Sequence, residues 1–458
     1  VKAGNAPAPE KTCMKENLMR TLFSVLLVAA LVTGAASAGQ AQLNVALGQP
    51  TLVAGLKQTT FLKVGLTGFV FDSATVRPAV NVALVLDKSG SMSGEKIVKA
   101  REAAIAAIER LGPNDIVSII TFDTTVNVLV PATKLTDKDA MRAAIMQISA
   151  GGNTALFGGV SKGAEEIRKF FDKNRVNRVI LLTDGQANVG PSSPAEVASL
   201  GASLKKENIS VTTLGMGSDY NEDLLVQLAA KSDGNHAYIK SPNDAVRVFN
   251  SEFAEVLTVV AQEVCVKVQC AEGIRPVRVL GREAEIAGQT VYVQLQQLYS
   301  NQEKFLMLEV EIPAGEEGRN REVATVSVNY ANMATKTTDK LSSTVSVSFT
   351  KSVAQAEKNE NKVVMVDAIE QVAVHVNEKA TALRDAGKTE EALKEFKENA
   401  VSLKKAGAKY SSSKLSAYVL DNEEATKNLA PDKWGGYRKG NLEDQYSRSK
   451  QMKKRSDD

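Results

Sequence analysis

The hydrophobic period of the chain changes twice along its length. In LNVAL, Leu43, Val45 and Leu47 alternate with other residues, and LKVGL repeats the pattern with Leu62, Val64 and Leu66. Such alternation predicts strands with one face against a core. From Val80 to about Ala261 it gives way to unbroken apolar runs separated by amphipathic stretches. VNVALVL, DIVSIITF, VNVLV, NRVILLTDG, ISVTTLGMG and AYIK read as strands. GEKIVKAREAAIAAIERLG, DKDAMRAAIMQIS, FGGVSKGAEEIRKFF, PAEVASLGASLKKE and NEDLLVQLAAKSDG read as helices, and DAVRVFNSEFAEVLTVVA as one long last helix. Strands without polar positions, alternating with helices, predict a mostly parallel sheet covered on both faces. Period two then returns in TVYVQLQ, FLMLEVEIP, EVATVSVNY and STVSVSFT, where Leu306, Leu308, Val310 and Ile312 oppose Glu309 and Glu311.

Neither β-rich flank has enough strands to close a core alone. The expected fold is therefore α/β, a doubly wound, Rossmann-like domain at 79–261 inserted into an antiparallel β-sandwich built from 39–78 and 262–350. Residues 351–429 carry apolar positions at steps of three and four, among them Val366, Ile369, Val372 and Val376, then Leu393, Phe396, Ala400 and Leu403. They read as a C-terminal helical hairpin with a third helix. The stretch 430–458, with its balanced charges ending SRSKQMKKRSDD, reads as a disordered tail.

The start of the chain has a different logic. A basic stretch from Met14 to Arg20 precedes LFSVLLVAALVTGAA and the small residues Ala36-Ser37-Ala38. Residues 1–38 are thus expected to be a leader with a signal peptide from about Met14, and the mature protein to be secreted or periplasmic. No later apolar run is long enough to span a membrane, so no stable insertion is expected once the leader is gone. Of the three cysteines, Cys13 lies in the leader, leaving Cys265 and Cys270 in EVCVKVQC. An oxidising compartment permits a bridge. On one straight strand, however, the two would stand about 16 Å apart on opposite faces, and both outcomes stay open.

A formal charge of +3 over 458 residues gives no footprint for nucleic acid. The chemistry gathers instead at the carboxyl edge of the expected parallel sheet, where open α/β sheets form their sites. DKSGSM presents Asp87, Ser89 and Ser91 after the first strand, GGNTALFGG presents Thr154, and LLTDGQAN presents Asp184. Alone, each is an ordinary cap or turn. Together they are hard oxygen donors, suited to magnesium, calcium or manganese rather than zinc or copper. Lys88 is expected to face solvent, and Asp123, on the same edge, to be an ordinary turn aspartate, with support of the loop around the site as the alternative. His236 and His375 stand apart from any nucleophile.

These residues and their surroundings resemble the von Willebrand factor type A domain, whose metal-ion-dependent adhesion site has the pattern Asp-x-Ser-x-Ser, a distant Thr and a distant Asp. The resemblance covers roughly residues 79–256. It implies that Ser89, Ser91 and Thr154 ligate a divalent ion directly, Asp87 and Asp184 directly or through water, and that an acidic side chain of a protein partner completes the coordination. The expected function is then an exported metal-ion-dependent binding or adhesion module. The alternatives are a structural or scaffold envelope protein whose ion only stabilises the loops, and, less favoured, a metal-dependent hydrolase. No P-loop, HExxH or GxSxG motif is present, and no enzymatic activity is expected.

Overall fold

The computed structural model describes residues 39–71, 77–217 and 219–454. The expected leader, with Cys13, lies outside the described residues.

The first strands are β1 (Gln42–Leu47), β2 (Thr51–Val53) and β3 (Gln58–Thr67). The α/β part opens with β4 (Val80–Asp87), α1 (Glu95–Glu109), β5 (Ile116–Phe122), β6 (Val126–Lys134), α2 (Lys138–Met146) and α3 (Leu156–Lys169). It continues with β7 (Val176–Thr183), α4 (Pro194–Lys206), β8 (Ser210–Met216), α5 (Glu222–Lys231), β9 (His236–Ile239) and α6 (Ala245–Val256). Next come β10 (Val259–Cys270), β11 (Arg275–Leu280), β12 (Glu285–Ala287), β13 (Thr290–Tyr299), β14 (Gln302–Ile312), β15 (Asn320–Asn332) and β16 (Thr338–Thr350). The helices α7 (Val353–Lys358), α8 (Lys362–Asp385), α9 (Thr389–Tyr410), α10 (Ser413–Lys427) and α11 (Pro431–Ser449) follow, then β17 (Met452–Lys454). No helix among the described residues is long and apolar enough to cross a membrane.

The α/β sheet runs in the order β6-β5-β4-β7-β8-β9, parallel except at β5–β6. The unbroken apolar run of β4 has a direct cause. Val82, Leu84 and Leu86 join a core with Ala100, Ala104 and Ile108 of α1 and Phe249 and Phe253 of α6. Ala83 and Val85 join a second core with Leu156, Val160 and Ala164 of α3. Helix α3 lies close against the sheet because it carries glycines: a Cβ on Gly159 would lie 2.6 Å from the Phe122 ring, and one on Gly163 2.7 Å from Val85 Cγ2.

The other strands form two sheets, β1-β3-β14-β11 with β17 added to β14, and β12-β13-β10-β15-β16-β2. Leu62, Val64 and Leu66 of β3 share one core with Leu306, Leu308 and Val310 of β14 and Val264, Val266 and Val268 of β10. The expected all-antiparallel arrangement has one exception, since β2 pairs with β16 in parallel. Cys270 is a free thiol in this core, so it is not bridged to Cys265. Burial pushes its thiol up to about 11.

Two sequence expectations need correction. The long last helix stops at Val256, and TVVA leads into β10. Val259 packs in the core between α1, α6 and the α/β sheet, whereas Val260 packs in the core of the two flanking sheets. Successive valines facing opposite cores require a period of two, although the apolar run appears continuous with the helical pattern before it.

The part of the expected disordered tail within the described residues forms α11 and β17, and residues 455–458 lie outside them. Trp434 and Tyr446 are buried, and the Trp434 ring nitrogen donates to Asp385 Oδ1 at 2.7 Å. Arg438 reaches Glu222 and Asp223 of α5 as well as Asp385 of α8. Glu443 accepts the backbone N–H of Tyr238 at 2.9 Å, on the edge strand β9. The charges that read as solvated are therefore paired across three parts of the fold. This pairing, with a few widely spaced aromatics, orders the segment despite its low hydropathy.

Candidate functional site

The site lies where the strand order reverses, outside the carboxyl ends of β4 and β7, as expected for open α/β sheets. Asp87 is the last residue of β4, and its side chain is fully buried. Its Oδ1 accepts the Ser89 N–H at 2.7 Å, and its Oδ2 accepts the Thr183 hydroxyl at the end of β7. Ser89 is buried and Ser91 exposed; their hydroxyl oxygens are 3.1 Å apart. The Ser91 hydroxyl donates to Asp184 Oδ1 at 2.8 Å. Asp184 follows β7 directly and is also fully buried.

Thr154 closes the ring from the third side. Its N–H donates to Asn188 Oδ1 at 2.7 Å, and its carbonyl accepts the Asn188 N–H at 3.1 Å. Gly185 separates the threonine from the carboxylates. A Cβ there would lie 2.9 Å from Thr154 Oγ1 and 3.3 Å from Asp87 Oδ2, so a small space bounded by both oxygens exists only because residue 185 is glycine. The five oxygen-bearing residues singled out in the sequence thus converge on one crevice.

Backbone bonds hold the loops in place. Gly151 N–H donates to Lys88 O at 2.8 Å, Gly90 N–H to Gly152 O at 2.9 Å, and Ala155 N–H to Asp123 O at 2.8 Å. Lys88 does not face solvent as expected, for its ammonium pairs with Asp123. Partial burial works against the Asp123 charge, but hydrogen bonds from Lys88 and Thr125 outweigh it and hold the carboxyl below its usual range. The turn aspartate is a strut under the site.

Electrostatically the crevice holds two buried carboxylates. Burial pushes the Asp87 carboxyl up to about 6, and the Asp184 charge adds to that rise against the hydrogen bonds from Thr183 and Ser89. Among the described residues no three or more His, Cys, Asp or Glu side chains are grouped to hold a metal. The donor set here is of another kind, two buried carboxylates and three hydroxyls, hard oxygens of the sort that could hold a divalent ion such as magnesium or calcium.

Three participants escaped the sequence reading. Thr183 was hidden at the end of an apolar strand, and Asn188 looked like loop filler. Lys96 in the first turn of α1 pairs with Asp184 through its ammonium. Its signal was legible, because a lysine is out of place at the positive end of a helix dipole unless a nearby anion requires it.

The model of the von Willebrand factor type A domain matches residues 81–252, so the α/β part of the chain is a domain of that type. Such domains are protein-interaction modules without catalytic activity, which supports a general role in protein interaction. The Escherichia coli protein YfbK is 30% identical over 215 residues, 46% of this chain and only 37% of that protein. Among solved structures, a von Willebrand factor type A protein from Catenulispora acidiphila superposes with a TM-score of 0.68 at 16% identity, covering 90% of this chain and 97% of that one. The ArnB paralog VWA2 from Sulfolobus acidocaldarius gives 0.59 at 18% identity, covering 89% and 98%. At these identities the two structures speak to the fold alone; they extend the likeness beyond the α/β part to most of the chain.

Proposed function

We propose that this chain is an exported, metal-ion-dependent protein-binding or adhesion module, secreted or periplasmic. Its α/β domain would be presented by the β-sandwich into which it is inserted. Ser89, Ser91 and Thr154, with Asp87 and Asp184, would hold Mg2+ or Ca2+, with Mn2+ an acceptable substitute. The ion would supply an electrophilic centre for an acidic side chain of a protein partner. The observation that carries this reading is the gathering of five oxygen-bearing residues from three loops far apart in sequence: contacts run from Asp87 through Ser89 and Ser91 to Asp184, and Thr154 and Asp87 border the space beside Gly185. Buried like charges at Asp87 and Asp184 are a cost that a divalent ion offsets.

The test is calorimetric titration of Mg2+, Ca2+ and Mn2+ into metal-stripped protein, beside the Ser89→Ala, Ser91→Ala double variant. One saturable site, lost in the variant, is the expected result. No binding by the unaltered protein up to millimolar ion would overturn the metal-dependent reading.

A further inference from the structure

Among the described residues, Lys96 is the one cationic side chain in contact with a carboxylate of the site. Its ammonium bonds Asp184 Oδ2, while Asp184 Oδ1 accepts the Ser91 hydroxyl. Asp87, by contrast, meets only neutral donors, Ser89 and Thr183. The lysine side chain is about three-quarters buried. It passes the loop after β8, where a Cβ on Gly217 would lie 3.6 Å from both Lys96 Cε and Nζ. The other lysine of the site, Lys88, is engaged by Asp123 instead.

We infer that Lys96 is a built-in cation that holds down the affinity of the site for a divalent ion and leaves the loaded site in need of an anionic ligand. The inference rests on the metal-binding reading above and deepens it. A divalent ion balances the charges of Asp87 and Asp184. With Lys96 still beside Asp184, the loaded centre keeps one surplus positive charge, which an acidic group of a partner neutralises. The lysine thereby couples ion and ligand: the ion alone is held weakly, and ion with carboxylate more firmly. Lys96 is a positioning residue here, acting through Asp184.

The experiment uses the whole chain, metal-stripped, titrated with Mg2+ and with Mn2+. Lys96→Met and Lys96→Gln are compared with Lys96→Arg and with Lys99→Met, which removes a lysine from the same helix whose partner is Glu102. Removing the positive charge bonded to Asp184 should tighten binding about tenfold in both neutral variants. Arginine in place of lysine should keep the weak affinity, and Lys99→Met should leave it unchanged. A gain in affinity cannot come from structural damage, which would only weaken the site. Equal or weaker binding in both neutral variants would overturn this inference while leaving the metal site standing. Absence of saturable binding in every protein would overturn both.

Discussion

Ser91 and Asp184, 93 residues apart in sequence, are joined by a 2.8 Å hydrogen bond that ties the loop after β4 to the loop after β7. With Thr183 bonded to Asp87, the two loops are cross-linked twice. The oxygens are therefore positioned by the protein itself before any ligand arrives, so little ordering cost remains to be met on binding.

The space beside Gly185 gives the sharpest test of that arrangement. In Gly185→Ala the new methyl would sit 2.9 Å from Thr154 Oγ1, pushing the threonine out of the ring. Overpacking of this kind costs about 1–3 kcal/mol, which thermal unfolding would register as a modest loss. Calorimetry should show ion binding abolished. Undiminished binding would mean Thr154 is not part of the site.

Asp87 should act against stability when no ion is bound. Burial pushes its folded carboxyl up to about 6, above the ordinary aspartate value. A raised carboxylate value means the folded state holds a proton that the unfolded chain has released, so stability falls as pH rises from about 4 to 6. Asp87→Asn, metal-stripped, is accordingly expected to melt higher than the unaltered protein at pH 7, by up to about 3 kcal/mol. The same variant should lose ion binding. A lower melting temperature at pH 7 would contradict the burial argument.

His236 has the opposite pH signature. Burial lowers its imidazole to about 4, and its Nδ1 sits 2.9 Å from the Thr213 hydroxyl. A histidine that stays neutral when folded contributes stability above its unfolded value near 6.5, and that contribution is lost as pH falls toward 4. The unaltered protein should therefore lose up to about 3 kcal/mol over this window relative to His236→Asn. Comparing denaturant midpoints of the two proteins at pH 7 and pH 4.5 isolates the effect. A constant difference across the window would refute it.

Arg438 clamps α11 to two other parts of the molecule, and its side chain is only 16% exposed. Removing the guanidinium leaves Glu222 with Lys439 alone and takes the charged partner from Asp223 and Asp385. Arg438→Ala should cost about 2–4 kcal/mol. Hydrogen exchange should rise across α11 and at Tyr238, whose N–H is capped by Glu443. A neutral change in stability would restore the view of this segment as loosely attached.

Much of the α/β part was legible because burial on both faces leaves an unmistakable mark: eight-residue β4 is buried throughout. The five oxygen-bearing residues were also legible, being side chains with few other reasons to gather at one sheet edge. What stayed hidden depended on long-range pairing. Val259 and Val260 betray a strand only once two different cores are known to flank them. Lys439 reads as solvated, yet it is buried beneath the Tyr220 carbonyl and Glu222. Sequence records a charge, not the partner that neutralises it from more than two hundred positions away.

The path of the chain between the flanking strands bears on the order of assembly. Thr51 on β2 pairs beside Ser348 on β16, and their hydroxyls meet across a separation of 297 residues. Closing so long a loop is slow when the intervening chain is unfolded. The α/β part, made of neighbouring strands and helices, can fold on local contacts. Once folded, it brings the end of β3 and the start of β10 under one constraint, shortening the search the flanking strands must make. The α/β part would then also be the template on which its own support is built.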